Sequence, residues 1–376
     1  MKLPQGYDDS RRTFRQLAAK AGAPLRTYDV PQETSGGLAL TTDTAQLGPA
    51  NAETMVVVTS GIHGVEGYAG AACLCRFLQA WPGRYAASGI GFLLVHAINP
   101  WGFAHDSRVT EEGVDLNRNF VDFPRPAAGP GPYAAFHRML VEDYRPLPQG
   151  LRNGLELLSH GVSARRRRAL QDAVTGGQYE RADGMFFGGF APTKSRRVWE
   201  QIVRDTVDGR RRAFLLDLHT GLGRRGVGEL MCDLPKASAG FAQMADWFDG
   251  RIRSMADGDS VSAALSGTMT AAFMRSRPEA RHAIGLEFGT CAPLVVLNAL
   301  RADQWRRNHA GALSPQAVQR VRDRMKHAFA PAQERWGEQV AARFDEVMGQ
   351  LANGLANQAR AESAQRLHAP ITSRCG

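Results

Sequence analysis

Residues 55–67 read MVVVTSGIHGVEG, a β-branched run that stops at glycines placed around a histidine and a glutamate. Valine and threonine favour strands and glycine interrupts them, so the pattern predicts a strand that leads into a loop. In that loop His63 and Glu66 lie three residues apart. A neutral imidazole and a carboxylate are ligands that zinc accepts in catalytic sites, where a third protein ligand leaves one position for water. The stretch therefore predicts a strand that supplies two metal ligands.

Two later apolar runs also end in residues that can bind or assist a metal. Residues 213–221, AFLLDLHTG, carry His219 just before a glycine, and residues 282–290, HAIGLEFGT, carry Glu287. We expect His219 to be the third ligand and Glu287 to be the carboxylate that takes a proton from the attacking water. Ligands bind at the carboxyl edge of the sheet in open α/β folds, so these strands should bring the side chains together there.

The remaining sequence alternates between strand and helix patterns. Helices are predicted at residues 9–21, with Asp9 or Ser10 as the cap, and at 68–81, 241–256, 268–276, 299–309, 316–329 and 333–351. The other predicted elements are a strand or hairpin within 27–47, a strand at 90–96 and a glycine-rich loop at 221–229. This alternation predicts an α/β fold with a mixed, mostly parallel central sheet flanked by helices.

The length of 376 residues exceeds the usual size of a domain, but α/β enzymes often reach it as one unit. We expect a single catalytic domain over residues 1–376, with a helical and loop insertion at 124–212 where the alternation stops. Residues 314–376 are predicted to form C-terminal helices and a tail. An apolar stripe in the last helix indicates core or a contact in a homo-oligomer: Val340, Phe344, Val347, Met348 and Leu351.

Composition is typical of a soluble globular protein, with 43% hydrophobic and 22% charged residues. The 46 Lys and Arg exceed the 37 Asp and Glu by nine, a balance that attracts nucleic acid, acidic lipid or a carboxylate substrate. The first ten residues lack the apolar segment of a secretory signal, and no run reaches membrane-spanning length. Five cysteines without paired zinc-type spacing indicate reduced thiols. We therefore expect a cytoplasmic protein without a membrane partner.

The order of these motifs resembles that of the zinc-carboxypeptidase superfamily, which includes the aspartoacylase and succinylglutamate desuccinylase deacylases. The resemblance rests on four pieces in the same order: His63-x-x-Glu66, then DLNRNF at 115–120, then Asp217-Leu218-His219, then Glu287-Phe288. Residues 60–67, SGIHGVEG, are also similar to a bacterial branch of that superfamily. The resemblance covers residues 55–290. It implies one zinc ion per chain, held by His63, Glu66 and His219, with Glu287 as the general base.

The resemblance also assigns roles to three residues that follow an Asn-Pro loop. It implies that Arg108 polarises the scissile carbonyl and that Asn117 and Arg118 hold the carboxylate of the substrate. A planar guanidinium binds a carboxylate in bidentate fashion and an asparagine adds a donor without charge, so these residue types suit the task. The alternative is that Arg118 pairs with Asp115 or Asp122 on the surface. Asp217 is the candidate for supporting His219 from behind.

These residues predict a zinc-dependent hydrolase that cleaves an amide bond next to a free carboxylate in a small peptide. The alternative within this class is a deacylase of N-acyl amino acids. It arises because digestive-type carboxypeptidases place a tyrosine between the last ligand and the base, whereas this chain has no tyrosine after Tyr179. Either Tyr179 replaces that group or the pocket is of the deacylase kind. The glycine-flanked aromatics at 184–190 could line the pocket or cover the core, and Arg224 and Arg225 could select an acidic group.

Two other classes of function are weaker. The run Arg165–Arg168 could bind nucleic acid, but neighbouring residues on a helix point about 100° apart and no nucleic-acid-binding motif accompanies it. We therefore expect no nucleic-acid partner. A two-metal aminopeptidase would need a bridging carboxylate and further ligands, which the sequence does not supply.

Overall fold

The computed structural model of the chain describes residues 1–33, 39–124, 131–145, 176–262 and 265–368. Within them, eight strands form one sheet: β1 Leu25–Glu33, β2 Ala39–Leu47, β3 Thr54–Ser60, β4 Gly91–His96, β5 Arg212–Arg225, β6 Gly228–Cys232, β7 Ile252–Ser254 and β8 Arg281–Gly289. Their order across the sheet is β1-β2-β4-β3-β5-β8-β6-β7. The central strands β4, β3, β5 and β8 are parallel, whereas β1 pairs antiparallel with β2, β2 with β4, and β6 with β8. β7 pairs parallel with β6. The predicted mixed, mostly parallel sheet is confirmed.

The middle of the sheet is buried on both faces. Val56, Val57 and Val58 of β3 are fully buried, and Val57 packs on the opposite face from its two neighbours. A continuous run of β-branched residues suits such a strand because helices cover both faces of a parallel sheet. The central strands therefore form a rigid support, and the edge of the sheet at their carboxyl ends is open.

Helices flank this sheet. They are α1 Tyr7–Lys20, α2 Gly67–Arg84, α3 Pro100–Ala104, α4 Ala134–His137, α5 Lys194–Thr206, α6 Ala239–Trp247, α7 Met269–Ser276, α8 Pro293–Asn308, α9 Pro315–Phe329 and α10 Glu334–His368. Ser314 caps α9, and its hydroxyl accepts a hydrogen bond from the backbone of Ala317. The predicted stripe of α10 is buried in the core that α2 and the sheet share. The helical C-terminus is confirmed, and these apolar residues serve the core of a single chain.

The prediction of a loop at 221–229 is wrong. β5 continues to Arg225 and a tight turn leads directly into β6 at Gly228. Gly221 and Gly223 have φ angles of +135° and +94°, which a glycine adopts without a Cβ clash. Gly221 and Arg225 both pair with Gly289, so the strand bulges here instead of ending. The glycines therefore shape a strand edge beside His219.

Two predicted helices have different ends. The helix predicted at 241–256 stops at Trp247, because positive φ angles at Asp249 and Gly250 turn the chain into β7. At the N-terminus, α1 begins at Tyr7 with Gly6 in the capping position, so the predicted caps Asp9 and Ser10 are wrong. Ser10 instead lies inside the helix, where its hydroxyl is 2.8 Å from His96 Nε2.

Much of the predicted insertion at 124–212 lies outside the described residues, including the run Arg165–Arg168. In the described part of this segment, α4 continues as a π-helix over Arg138–Glu142, and α5 leads into the sheet. Among the described helices, none is both long enough and apolar enough to cross a membrane.

Candidate metal centre

The first two ligand residues lie on a short turn that is held against a neighbouring loop. His63 precedes a single 3₁₀ turn, Gly64–Glu66, which joins β3 to α2. A Cβ on Gly64 would lie 2.2 Å from the backbone of Gly102, and Val65 N donates to Ser107 O at 3.0 Å. Glycine is therefore required at position 64 because another backbone passes directly over it. This packing fixes the turn that presents His63 and Glu66.

His63, Glu66 and His219 meet at the carboxyl edge of the sheet. One ligand atom from each lies within 4.8 Å of the other two, and the residues are only 3%, 2% and 5% exposed. Glu66 Oε2 is 3.2 Å from His219 Nδ1, and His63 Nδ1 is buried without a hydrogen bond. Two imidazoles and one carboxylate are a donor set of open catalytic zinc sites. The three residues therefore fit a single divalent zinc ion.

A carboxylate supports His219 from behind, and a second one lies near His63. Asp217 Oδ2 is 2.7 Å from His219 Nε2, in the position predicted for Asp217, and Thr59 Oγ1 donates to its other oxygen at 2.6 Å. Asp115 Oδ1 is 3.3 Å from His63 Nδ1. Burial alone would lower the pKa of His219, but the charges of Asp217 and Glu66 raise it well above its usual value. Asp217 therefore orients the His219 imidazole and increases its basicity as a ligand, whereas burial and the charge of Arg108 lower the pKa of His63 well below its usual value.

Arg108 lies directly beside the ligand cluster. Its Nη1 donates to Glu66 Oε1 at 3.1 Å, its Nη2 donates to His63 Nε2 at 2.8 Å, and its Nε donates to Asp115 Oδ2 at 3.0 Å. Burial opposes its charge, but Asp115 and Glu66 raise its pKa, so the guanidinium is charged. From the sequence, Asp115 was considered only as a possible ion-pair partner of Arg118 on the surface. In the structure Asp115 is fully buried and orients Arg108.

Glu287 extends from β8 next to the cluster. It pairs in the sheet with His219, and its Oε1 accepts a hydrogen bond from Leu222 N at 2.8 Å. Burial and the nearby charge of Glu66 raise the pKa of Glu287 to about 8, against the opposing effects of His219 and Arg108. A carboxyl group with a pKa near neutrality can both accept and return a proton.

Asn117 and Arg118 lie on a buried 3₁₀ turn, Leu116–Arg118, that Asp115 caps. Asn117 Oδ1 accepts a hydrogen bond from Met269 N at the start of α7, at 2.9 Å. Arg118 is 3% exposed, so the alternative of an exposed pair on the surface is wrong. Tyr179 does not line the cavity around the ligands, and its hydroxyl donates to Arg118 O at 2.6 Å. Tyr179 therefore supports the turn that carries Arg118.

All seven predicted site residues line one cavity of about 640 Å³, namely His63, Glu66, Arg108, Asn117, Arg118, His219 and Glu287. Arg224 lines it too, whereas Arg225 lines a separate cavity of about 370 Å³ with Cys291 and His327. Phe186 forms part of the main cavity, while Phe190 is 64% exposed.

The sequence analysis missed most of the other lining residues. They include Thr268, Thr270, Met231, Met255, Leu297 and Leu300. Only the capping position of Thr268, at the start of a predicted helix, gave a local signal for any of them.

Comparisons with known proteins give a family and several distant likenesses. A family model described as "Protein of unknown function (DUF2817)" matches residues 4–343. A search of curated proteins found no match. Carboxypeptidase A from Helicoverpa armigera is 14% identical, with 87% of this chain and 74% of that chain covered, at a TM-score of 0.47.

Two further solved structures are similar to this chain at the same level. A metallo-carboxypeptidase from Burkholderia cenocepacia is 11% identical, with 92% of this chain and 69% of that chain covered, at a TM-score of 0.43. Bovine thrombin-activatable fibrinolysis inhibitor is 9% identical, with 91% and 98% covered, at a TM-score of 0.42. At such identities and TM-scores none of these likenesses assigns an activity to this chain.

Proposed function

The chain belongs to the family described as "Protein of unknown function (DUF2817)", and we propose that it is a zinc-dependent hydrolase of amide bonds next to a free carboxylate. One observation carries the proposal: three buried ligand atoms within 4.8 Å of one another share a cavity with Glu287 and three arginines. The motif order that resembles the zinc-carboxypeptidase superfamily supports the same reading. The substrate would be a small peptide or an N-acyl amino acid.

His63, Glu66 and His219 would hold the zinc ion. When bound, such an ion supplies Lewis-acid polarisation of a carbonyl and acidifies the attacking water. Asp217 keeps the His219 imidazole oriented toward that position, and Asp115 aligns Arg108 beside His63. This chain therefore contributes the ligands together with the groups that align them.

Glu287 acts as general base and then as general acid. Its carboxylate takes a proton from the attacking water and returns it to the leaving nitrogen. General acid–base catalysis of this kind typically increases the rate about 10²–10⁴-fold. The hydrogen bond from Leu222 N fixes one carboxyl oxygen, so the other is oriented toward the cavity's reacting centre. Burial beside Glu66 keeps its pKa within reach of neutrality.

Arg108 and Arg118 bind different parts of the substrate. Arg108, aligned by Asp115, donates to the carbonyl oxygen as negative charge develops on it, an arrangement that typically stabilises the transition state by a few kcal/mol. Arg118 and Asn117 bind the carboxylate on the other side of the scissile bond, because a guanidinium and an amide are suited to that geometry. Arg118 and Asn117 are buried and Arg108 is only 14% exposed, so the low local dielectric strengthens both interactions.

The deacylase alternative is supported by a specific contact. The Tyr179 hydroxyl is hydrogen-bonded to the backbone carbonyl of Arg118, and the sequence has no later tyrosine that could close over a peptide. An N-acyl amino acid needs no such group beyond its amide. We therefore retain deacylation as the second candidate, to be tested beside peptide hydrolysis.

The decisive experiment assays the purified protein against dipeptides and N-acyl amino acids in parallel. We expect hydrolysis of at least one of these classes, loss of activity after treatment with a chelator, and recovery on addition of zinc. The Glu287→Gln variant should retain the metal and lose the activity. Activity that survives removal of the metal, or a protein that hydrolyses neither class, would contradict the proposal.

A further inference from the structure

One wall of the catalytic cavity consists only of apolar side chains among the described residues. This apolar wall comprises Phe186, Pro293, Val296, Leu297, Leu300 and Phe329. Four of its members lie on α8 at spacings of three, four and seven residues, which places them on one face of that helix. At 1.5 Å per residue this face runs for about 10 Å along the cavity. The wall is therefore a continuous strip along one helix, closed by two phenylalanines.

The apolar wall borders the groups that act on the scissile carbonyl. The Phe186 ring centre lies 5.7 Å from Arg108 Cζ. A Cβ placed on Gly221 would be 3.0 Å from the Phe329 ring and 3.8 Å from a Glu287 oxygen, so Phe329 and Glu287 face each other across that glycine. α9, which carries Phe329, also contacts the turn with the first two ligands. The wall thus lies next to the reacting centre.

The side that holds the substrate carboxylate is mixed, because polar groups line it next to apolar side chains such as Val261 and Leu265. Asn117 is fixed to the start of α7, and the hydroxyl groups of Thr268, Thr270 and Ser262 line the cavity together with Arg118. Because the carboxylate belongs to the amino-acid part of the substrate, the amino-acid part occupies this side. The carbonyl carbon carries the acyl group, so the acyl group extends from Arg108 and Glu287 along the apolar wall.

An apolar wall favours the binding of a hydrocarbon chain over that of a peptide. A peptide extending in this direction would bring backbone N–H and C=O groups, which are unfavourable when they are buried without a hydrogen-bond partner. The helix bonds of α8 already use its backbone, and the six side chains offer no donor or acceptor. A hydrocarbon chain needs no such partner and is stabilised by burial of each methylene.

We propose, on the basis of the hydrolase function above, that the substrate is an N-acyl amino acid with an unbranched aliphatic acyl chain of medium length. In the reaction, the oxygen of water bonds to the acyl carbonyl carbon and the carbon–nitrogen bond breaks. Glu287 transfers the proton of water to the leaving nitrogen. The products are an aliphatic carboxylate and a free amino acid, and no oxidant or reductant is required.

The first experiment measures kcat/KM for N-acyl-L-alanines and N-acyl-L-aspartates with acetyl, butyryl, hexanoyl and octanoyl chains. We expect kcat/KM to rise roughly fourfold for each added CH₂, which is the fold-change for about 0.8 kcal/mol per buried methylene. Dipeptides of similar length should be poorer substrates than the octanoyl compounds. A profile that is flat, or highest for acetyl, would overturn the proposal while leaving a zinc-dependent amide hydrolase intact.

A binding experiment tests the acyl-chain proposal separately from the hydrolase function. Calorimetry with zinc-loaded Glu287→Gln protein and the same compounds should show affinity that increases with chain length. If affinity increases with chain length but the wild-type protein hydrolyses no amide, the apolar wall binds the acyl chain as proposed and the proposed hydrolase function is wrong. Affinity that does not depend on chain length would overturn the acyl-chain proposal whatever the activity.

A pair of variants on α8 tests the location. Leu297 lines the cavity, whereas Leu294 on the same helix is 37% exposed and does not. Leu297→Gln should reduce the octanoyl-to-acetyl ratio of kcat/KM by about tenfold, and Leu297→Met should restore it, since methionine is apolar and of similar volume. Leu294→Gln should leave the ratio unchanged. Equal effects of the two glutamine substitutions would contradict the assigned position of the chain.

Discussion

His219 and Glu287 occupy paired positions on the adjacent parallel strands β5 and β8, so the proposed third metal ligand and the proposed general base extend from one register of the sheet. A shift of one residue between these strands would turn Glu287 to the other face of the sheet. The relation between ligand and base is therefore set by backbone hydrogen bonds deep in the fold. Loops at the mouth of the cavity do not determine it.

Replacing Glu287 by glutamine should remove the general base and preserve the metal. The amide matches the carboxylate in shape but cannot accept the proton, so we expect kcat to fall about 10²–10⁴-fold with an unchanged zinc content. Glu279→Gln is the matched control, because Glu279 is exposed just before β8. Stopped assays and elemental analysis check both variants, and a Glu287→Gln protein with more than about one tenth of wild-type kcat would refute this role.

Replacing Asp217 by asparagine should weaken the metal site without destroying it. Asp217 is 2.7 Å from His219 Nε2, so its loss leaves the imidazole less basic and less firmly oriented. We expect the affinity for zinc to fall about 10–100-fold, as measured by competition with a chromophoric chelator. Asp205→Asn serves as control, because Asp205 only accepts a bond from Tyr28 on the outside of the sheet. Identical affinities for all three proteins would show that Asp217 does not support the ligand.

Replacing Arg118 by glutamine should affect only substrates with a free carboxylate. Loss of a charge-assisted pair in a buried cavity is expected to lower kcat/KM about 10²-fold for the carboxylate substrate. The corresponding carboxamide substrate should react with the variant and the wild-type protein at similar rates. Arg204→Gln, an exposed arginine on α5, is the control. A parallel loss on carboxylate and carboxamide would argue that Arg118 only maintains the local fold.

Glu111 predicts a specific dependence of stability on pH. Its side chain is 4% exposed, and burial next to Glu112 raises its pKa from 4.5 to about 7, although Lys194 Nζ lies 3.9 Å from one of its oxygens and opposes this shift. The folded protein therefore holds a proton that the unfolded chain releases, so this stabilisation is complete below about pH 4.5 and is lost as pH rises through 7.

Glu111→Gln keeps a neutral side chain at every pH. Relative to the wild-type protein, its free energy of unfolding should therefore increase by roughly 1–3 kcal/mol between about pH 5 and about pH 8. Urea unfolding at the two pH values gives this difference directly. Glu279→Gln should show no such change. A constant difference between Glu111→Gln and the wild-type protein would mean that Glu111 is ionised in the fold.

The strands, and the convergence of His63, Glu66 and His219 at their ends, were predictable because they depend on local pattern. The β-branched run before Ser60 and the apolar runs before His219 and Glu287 can be buried only as central strands, and parallel strands bring their carboxyl ends to one edge. The predicted site residues accordingly line one cavity.

The errors arose where tertiary contacts decide the conformation. Glycines at 221 and 223 suggest a loop, yet pairing with β8 extends β5 through them. The burial of Asp115 beneath Arg108 depends on a contact between separate segments. The apolar wall is likewise assembled from α8, α9 and Phe186, which no local pattern links.

The zinc content of the purified protein tests the central claim most directly. Elemental analysis after dialysis should give one zinc per wild-type chain, and the His219→Ala variant should lose it while keeping the wild-type circular dichroism spectrum. A wild-type protein that binds no zinc when the ion is supplied, or a folded His219→Ala variant that binds zinc as tightly as the wild type, would contradict the account.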